Sequence, residues 1–278
     1  MSIELSDNLS KQFESEVHHA FQSMGKLRNS VRVKNVKGNQ VQFPVMDKGA
    51  AVTRGATSTS IPLMDVSYTP VTATLANYTA SELTDIFENG QVSFDEREEL
   101  VKVIAGALAR RMDQIIIDAL DASSTTNTIA DNISGSVDNM TLAAIRESAR
   151  MLDAGNVSKE ERTLIIHASG LHNLLSDSQV TSSDFANIKA LVDGNLDTFY
   201  GFKVITIGDM AEGGLPLATT DRTNYAFAKD ALGVGINLEK VEVNYEPAYG
   251  AWRTTGFLSS GAAAIDDSGI VKITSDEA

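Results

Sequence analysis

The spacing of apolar residues changes several times along the chain, and each change marks an element. Between Asp7 and Met24, Leu9, Phe13, Val17, Ala20, Phe21 and Met24 recur mostly by three or four, which predicts an amphipathic helix ending near Gly25. A basic, strand-like segment, Val31–Val36, follows, and Lys37-Gly38-Asn39 reads as a turn. From Val41 to Leu75, β-prone residues flank the small polar cluster Gly55-Ala56-Thr57-Ser58-Thr59-Ser60, a hairpin pattern. A lone two-stranded hairpin is marginal in water. This one carries Ile61, Leu63, Met64, Val66 and Tyr68, so the expectation is an arm with no core of its own, covered by another copy of the chain.

The strongest periodic signal comes next. Ser93 and Glu96 form a capping box, and Asp95, Glu96, Glu98 and Glu99 sit at the positive end of the helix dipole. Val101, Ile104, Leu108, Met112, Ile115 and Ala119 then advance by three or four, predicting a helix over residues 94–121. At 1.5 Å per residue it spans roughly 40 Å. Leu108, Met112 and Ile115 are its expected core residues.

Beyond it, Ala122–Val137 is rich in Ser, Thr and Asn and reads as loop or irregular strand. Helix is expected over Thr141–Leu152 with Gly155 as its stop, then strand over Thr163–His167, a short helix at Leu171–Leu175 and another helix at Ser183–Val192. Phe199–Ile207, Tyr225–Phe227, Ala231–Ile236, Val241–Tyr245, Trp252–Leu258 and Gly269–Ile273 are strand candidates. The pattern is α+β.

Charge narrows the function classes. The chain has 278 residues with 37 acidic and 23 basic side chains, a formal −14, which repels nucleic acid at long range. Lys26, Arg28, Arg32, Lys34 and Lys37 form a local basic run without an acid, either a solvated arm or a strap across acidic surface of a neighbour. Without cysteine there is neither a disulfide nor a thiolate site. No stretch approaches the roughly 20 apolar residues of a membrane-spanning helix, and the N-terminus lacks a signal-peptide pattern, so a soluble chain made in the cytoplasm is expected.

Candidate chemistry is sparse. No phosphate loop or nucleophile elbow occurs. His18 and His19 are adjacent and diverge on a helix, while His167 and His172 lack a metal-ligand spacing. His167 reads as a strand-end histidine hydrogen-bonded to a loop. Ser169 lies near it, but no acid is placed to complete a triad. Trp252 and the tyrosines do not interleave with basic residues as a stacking surface for nucleic acid would require. No catalytic residue, cofactor or metal is expected.

Several stretches together resemble the major capsid proteins of tailed bacteriophages, the Hong Kong 97-type fold, and in particular the coat proteins of short-tailed T-seven-like phages. They are Phe13-x-x-x-Val17-x-x-Ala20-Phe21 with the Arg28–Val33 strand, Gln42-Phe43-Pro44-Val45, and Tyr78-x-x-x-Glu82-Leu83-x-Asp85-Ile86. Leu108-Ala109-x-x-Met112-Asp113, Thr163–His167 with Leu171–Leu175, Gly201-Phe202-Lys203-Val204-Ile205 and Gly250–Ala264 complete the set. Order and spacing carry the likeness across nearly the whole chain.

The resemblance implies an N-terminal arm (1–40), an extended loop (41–76), a peripheral domain (77–137 and 240–278) around the spine helix, and an axial domain (138–239). It implies pentamers and hexamers closing an icosahedral shell around packaged DNA, bound without sequence preference, with a portal and a decoration protein as further partners. No long extension precedes the arm, so a separate scaffolding protein is expected. The implied location is the virion, assembled in the host cytoplasm. Arg28, Arg32, Lys34, Lys48, Arg54, Ile61, Leu63 and Met64 are the expected intersubunit contacts. Some members cross-link through a lysine of this loop; Lys48 is the only lysine here, and no other residue points to that chemistry. The competing readings are another virion component and a soluble α+β hydrolase with its site spread over loops.

Overall fold

The chain order of elements explains which residues meet. In the computed structural model, which describes residues 25–55, 60–61, 63–64, 66–86, 96–133, 139–176 and 198–277, strands β1 (Arg32–Asn35), β2 (Gln40–Met46), β3 (Tyr68–Thr74) and β4 (Ala76–Asp85) precede the long helix α1 (Glu96–Asp121). Then come β5 (Thr128–Ile129), α2 (Leu142–Ala154), β6 (Arg162–His167), α3 (Ala168–Ser176), β7 (Thr198–Phe199) and β8 (Phe202–Ile207). The chain continues through β9 (Leu217–Ala218), β10 (Asp221–Ala228), β11 (Leu232–Glu246), β12 (Ala251–Ala264) and β13 (Ile270–Asp276). The helices expected over Asp7–Met24 and Ser183–Val192, the Ser93 cap and the centre of the hairpin tip lie outside the described residues.

Three sheets form: β1-β11-β12-β4, the seven-stranded β5-β13-β10-β6-β8-β7 with β9 on β10, and the two-stranded β2-β3. Helix α1 packs on the four-stranded sheet because Gly256 of β12 has no side chain; a Cβ there would stand 2.5 Å from Ile104 Cγ2 and 2.8 Å from Leu108 Cδ1. Leu108, Met112, Ile116, Ile117 and Leu120 then share one core with Ile165, Tyr225 and Phe227. The other face of the seven-stranded sheet, with Leu164, Ile166, Phe202 and Val271, is covered by Ile145, Leu152 and Leu174 of α2 and α3. Strand β6 is therefore buried at every position, as a strand covered on both faces must be.

Local chemistry sets the ends of α2. Thr141 Oγ1 accepts the Ala144 N–H at 3.4 Å. At the other end, Asn156, with φ 56°, takes the left-handed position instead of Gly155. The Val157 N–H reaches Leu152 O and the Asn156 N–H reaches Asp153 O, both at 3.0 Å, a Schellman closure.

Several expectations are corrected. Phe199–Ile207 is not one strand: Tyr200 and Gly201 both have positive φ (51° and 84°) and make a two-residue hairpin turn. The stretches expected at Ala231–Ile236 and Val241–Tyr245 merge, from Leu232 on, into one 15-residue strand, irregular only between Ile236 and Leu238. Residues 76–85, for which the sequence pattern predicts no element, form β4, paired with β12 from Ala76 to Asp85. Strand β13 joins β10 in the seven-stranded sheet, and its Ile270 packs in the same core as α1.

Candidate assembly surface

The hairpin is two objects, not one. Strands β2 and β3 pair antiparallel from Gln40↔Thr74 to Met46↔Tyr68. At the base, Val41, Phe43, Ala73 and Leu75 are buried with Val36, Ala263 and Ile265 against them. Glycines make room: a Cβ at Gly233 would stand 2.5 Å from Phe43 Cζ, and one at Gly235 would stand 2.5 Å from Val41 Cγ1. The arm thus has a core of its own at its base, contrary to the expectation from sequence, where glycine positions carried no hydrophobic signal. Burial of a side chain such as Phe43 is worth about 1.5–3 kcal/mol. Farther out the packing stops. Met46, Val52, Met64 and Tyr68 are more than half exposed, Ile61 is 74% exposed and Leu63 88%.

The basic positions are scattered rather than gathered. Arg28 meets Glu239 at 2.8 Å, an exposed pair worth at most about 1 kcal/mol. Arg32 lies exposed on β1. Lys34 Nζ donates to Gln42 O at 3.3 Å and stands 6.0 Å from the Phe43 ring centroid. Lys48 lines a cleft of about 290 Å³ with Gly155, Asn156, Lys229 and Asp266. Arg54 is exposed. On α1, Leu108, Met112 and Ile115 are buried.

Sequence reasoning passed over Asp113, buried on α1 between Met112 and Ile115. Its carboxylate accepts the Lys26 N–H at 2.7 Å and the Leu27 N–H at 3.1 Å, while Lys26 Nζ donates to Thr206 O at 2.8 Å. Burial pushes the Asp113 carboxyl above its usual range, against the pull of those two N–H groups. Gly25, at φ +83°, lets the backbone lie on Ala109 of the helix. An acid inside an apolar helical stripe was the available signal.

A second polar cluster sits at the end of β6. The His167 N–H donates to Asn224 Oδ1 at 3.0 Å. His167 Nδ1 lies 2.9 Å from Ser169 Oγ and 2.7 Å from Glu277 Oε1, and Ser169 Oγ also donates to Glu277. Arg222 holds Glu277 Oε2 at 2.8 Å and Asp209 Oδ1 at 2.7 Å. Burial would raise the Glu277 carboxyl, yet Arg222, Ser169 and His167 hold it below its usual range. An acid does therefore stand beside His167 and Ser169, placed there by β13 at the far end of the sequence. Ser169 and Glu277 crowd Nδ1, and Asp209 Oδ1 stands 3.4 Å from Nε2 without making a hydrogen bond, so no acid orients the ring from the opposite nitrogen as a nucleophile relay needs. The cluster ties β6, α3, β10 and the segment after β13 together. Among the described residues no group of three or more metal-ligating side chains converges, and no helix is long and apolar enough to cross a membrane.

A hairpin with a packed base and a bare apolar end, beside a long helix on a sheet, matches one family. Its profile, described as phage capsid protein, covers residues 5–277. The chain belongs to the phage capsid protein family. No curated protein sequence matches this capsid protein. Solved structures do: the capsid of cyanophage P-SCSP1u (TM-score 0.76, 16% identity, 100% of this chain and 96% of that one) and the head of Helicobacter pylori bacteriophage KHP40 (0.77, 11%, 99% and 99%). A chain of Mycobacterium phage Che8 is similar at 0.71 and 19% identity, over 94% and 95% of the two chains. The fold is the Hong Kong 97 type. This capsid protein is a structural component of the phage head shell and resides in the virion.

Proposed function

We propose that this capsid protein assembles as pentamers and hexamers that close an icosahedral head around double-stranded DNA, with the distal hairpin of each copy lying on a neighbour. The observation that carries the reading is the contrast within the hairpin. Its base is sealed by Val41, Phe43 and Leu75, while Ile61 and Leu63 are left exposed by the described residues. Apolar area removed from water is worth about 25 cal/mol per Å², and in a shell the same gain recurs at each equivalent contact. Ile61, Leu63 and Met64 supply the apolar part of this contact. Arg28, Arg32, Lys34, Lys48 and Arg54 supply charge toward an otherwise acidic surface.

The four-stranded sheet with α1 serves as the peripheral portion and the seven-stranded sheet with α2 and α3 as the axial one. A separate scaffolding protein guides assembly in the host cytoplasm, a portal occupies one vertex, and a decoration protein can bind outside. DNA contact is non-specific, and the protein is not an enzyme. Electron microscopy of the purified protein tests the reading: closed shells or rings of five and six subunits are expected, and a solitary globule of 29.8 kDa contradicts it.

A further inference from the structure

Sheet edges are templates for pairing with another chain, and soluble proteins blunt them with short strands, Lys or Arg, Pro or bulges. Nearly every edge here carries such a device. Strand β1 has four residues and presents Arg32 and Lys34, and past its end the edge of β11 starts with the irregularity between Ile236 and Leu238 and carries Lys240. The outermost strands of the seven-stranded sheet, β5 and β7, have two residues each. The hairpin places Pro44 and Pro70 opposite each other, one on each outer strand, where a missing N–H does least harm.

Strand β4 is the exception. It runs ten residues, Ala76–Asp85, in unbroken register with β12, and contains no Pro, Gly, Lys or Arg. Asn77, Thr79, Ser81, Glu82 and Leu83 are exposed, and no strand among the described residues pairs with the outer edge. A regular ten-residue edge whose only charges are Glu82 and Asp85 is one that assembly can cover.

We propose that β4 is an interface between two copies of this chain, the two strands pairing antiparallel across a two-fold axis so that their four-stranded sheets become one. The inference rests on the chain being a shell subunit. Two-fold pairing is the self-complementary choice, since the other edges are blunted.

Charge fixes the register. With Ala80 opposite Ala80 of the second copy, Glu82 stands opposite Tyr78, Ser81 opposite Thr79, and Leu83 opposite Asn77. Tyr78 and Glu82 share the face that α1 covers, because residues two apart in a strand point the same way. Arg111 of α1 lies 4.3 Å from the Tyr78 ring centroid and pairs with Glu212 through Nη1 at 3.3 Å, while its buried Nε has no hydrogen-bond partner. The register thus brings a carboxylate from one copy to a guanidinium of the other, twice by symmetry. The two Glu82 residues stay four positions apart along the strands, roughly 13 Å, beyond the Debye length of about 8 Å at physiological salt.

The test uses assembled particles of the full chain. The native sequence has no cysteine, so Thr79→Cys/Ser81→Cys introduces the only thiols. Mild oxidation of particles is expected to give dimers on a non-reducing gel, while dilute unassembled subunits give none. Particles that form normally but yield no dimer overturn the β4 interface and leave the shell reading intact. Ser81→Lys gives an independent readout: the melting temperature stays within about 2 °C of the parent, while particle yield falls at least tenfold. Parental particle yield from Ser81→Lys also overturns the proposal. Absence of particles from the unsubstituted chain contradicts the shell reading instead.

Discussion

The carboxylate of Asp113 accepts the backbone N–H of Leu27, residues 86 positions apart, and so fastens the start of the described chain to the middle of α1. The Lys26 N–H shares the same carboxylate. Asp113→Ala leaves two N–H groups without an acceptor and is expected to lower stability by about 1–3 kcal/mol in denaturant melts. A change below about 0.5 kcal/mol would mean that this bond does not hold the segment.

The same residue has a pH signature. Burial raises the folded-state pKa of Asp113 above 3.8, so the ionised form costs more in the folded than in the unfolded chain. That cost is absent below pH 3.8 and is paid as pH rises through the folded value. Asp113→Asn removes the titration. The stability of the parent relative to Asp113→Asn should therefore rise as pH falls toward 3.8, and paired melts at pH 7 and pH 4.5 measure it. A difference that is flat, or that runs the other way, removes burial as the dominant influence on this carboxyl.

Glu277 runs opposite. Its folded pKa lies below 4.5, so its contribution is present above pH 4.5 and fades as pH falls through the folded value. The stability gap between parent and Glu277→Gln should shrink between pH 6 and pH 3.5. A gap that is constant over that range would show that Arg222 does not favour the charged form.

The spine helix supplies a packing prediction. Leu108 is buried against Gly256, so Leu108→Ala should cost about 2–5 kcal/mol, and Leu108→Asp, which buries an unpaired charge, should give insoluble or unassembled protein. Gly261→Ala strikes the hairpin base instead, because the new methyl overlaps the Thr74 carbonyl. Thermal melts of Gly261→Ala should show lower stability, and soluble, shell-forming Leu108→Asp would contradict the inward assignment of the helix face.

What could be read from sequence follows from how locally each signal is encoded. The stripe through Leu108, Met112 and Ile115 repeats over seven turns of one helix, so it stood out, as did the continuous apolar run Leu164-Ile165-Ile166. Strand β4 did not: Ala76-Asn77-Tyr78-Thr79-Ala80-Ser81 has little hydrophobic alternation, and its place is set by β12, some 175 positions later. The charged run Glu239-Lys240 hid the continuity of β11 because those residues face solvent. The core of the hairpin base depends on Gly233, Gly235 and Gly261, whose contribution is the space they leave. His167 and Glu277 are 110 positions apart and meet only through β10 and β13.

A shell protein of net charge −14 should hold DNA only loosely. Gel shifts of the unassembled subunit at physiological salt are expected to show no tight complex and no sequence preference. Nanomolar, sequence-selective binding would contradict a shell role.

The most direct measurement concerns the hairpin end. Deleting residues 50–64 removes Val52, Ile61, Leu63 and Met64 but keeps the buried base at Val41, Phe43, Ala73 and Leu75. Melting temperature and particle yield by sedimentation are read on the same preparation. If the hairpin end packs on a neighbouring copy, the subunit melts within a few degrees of the parent while particles fail to form, because the lost contact recurs across the lattice. Normal particles from the deleted chain would contradict the account, whatever its melting temperature.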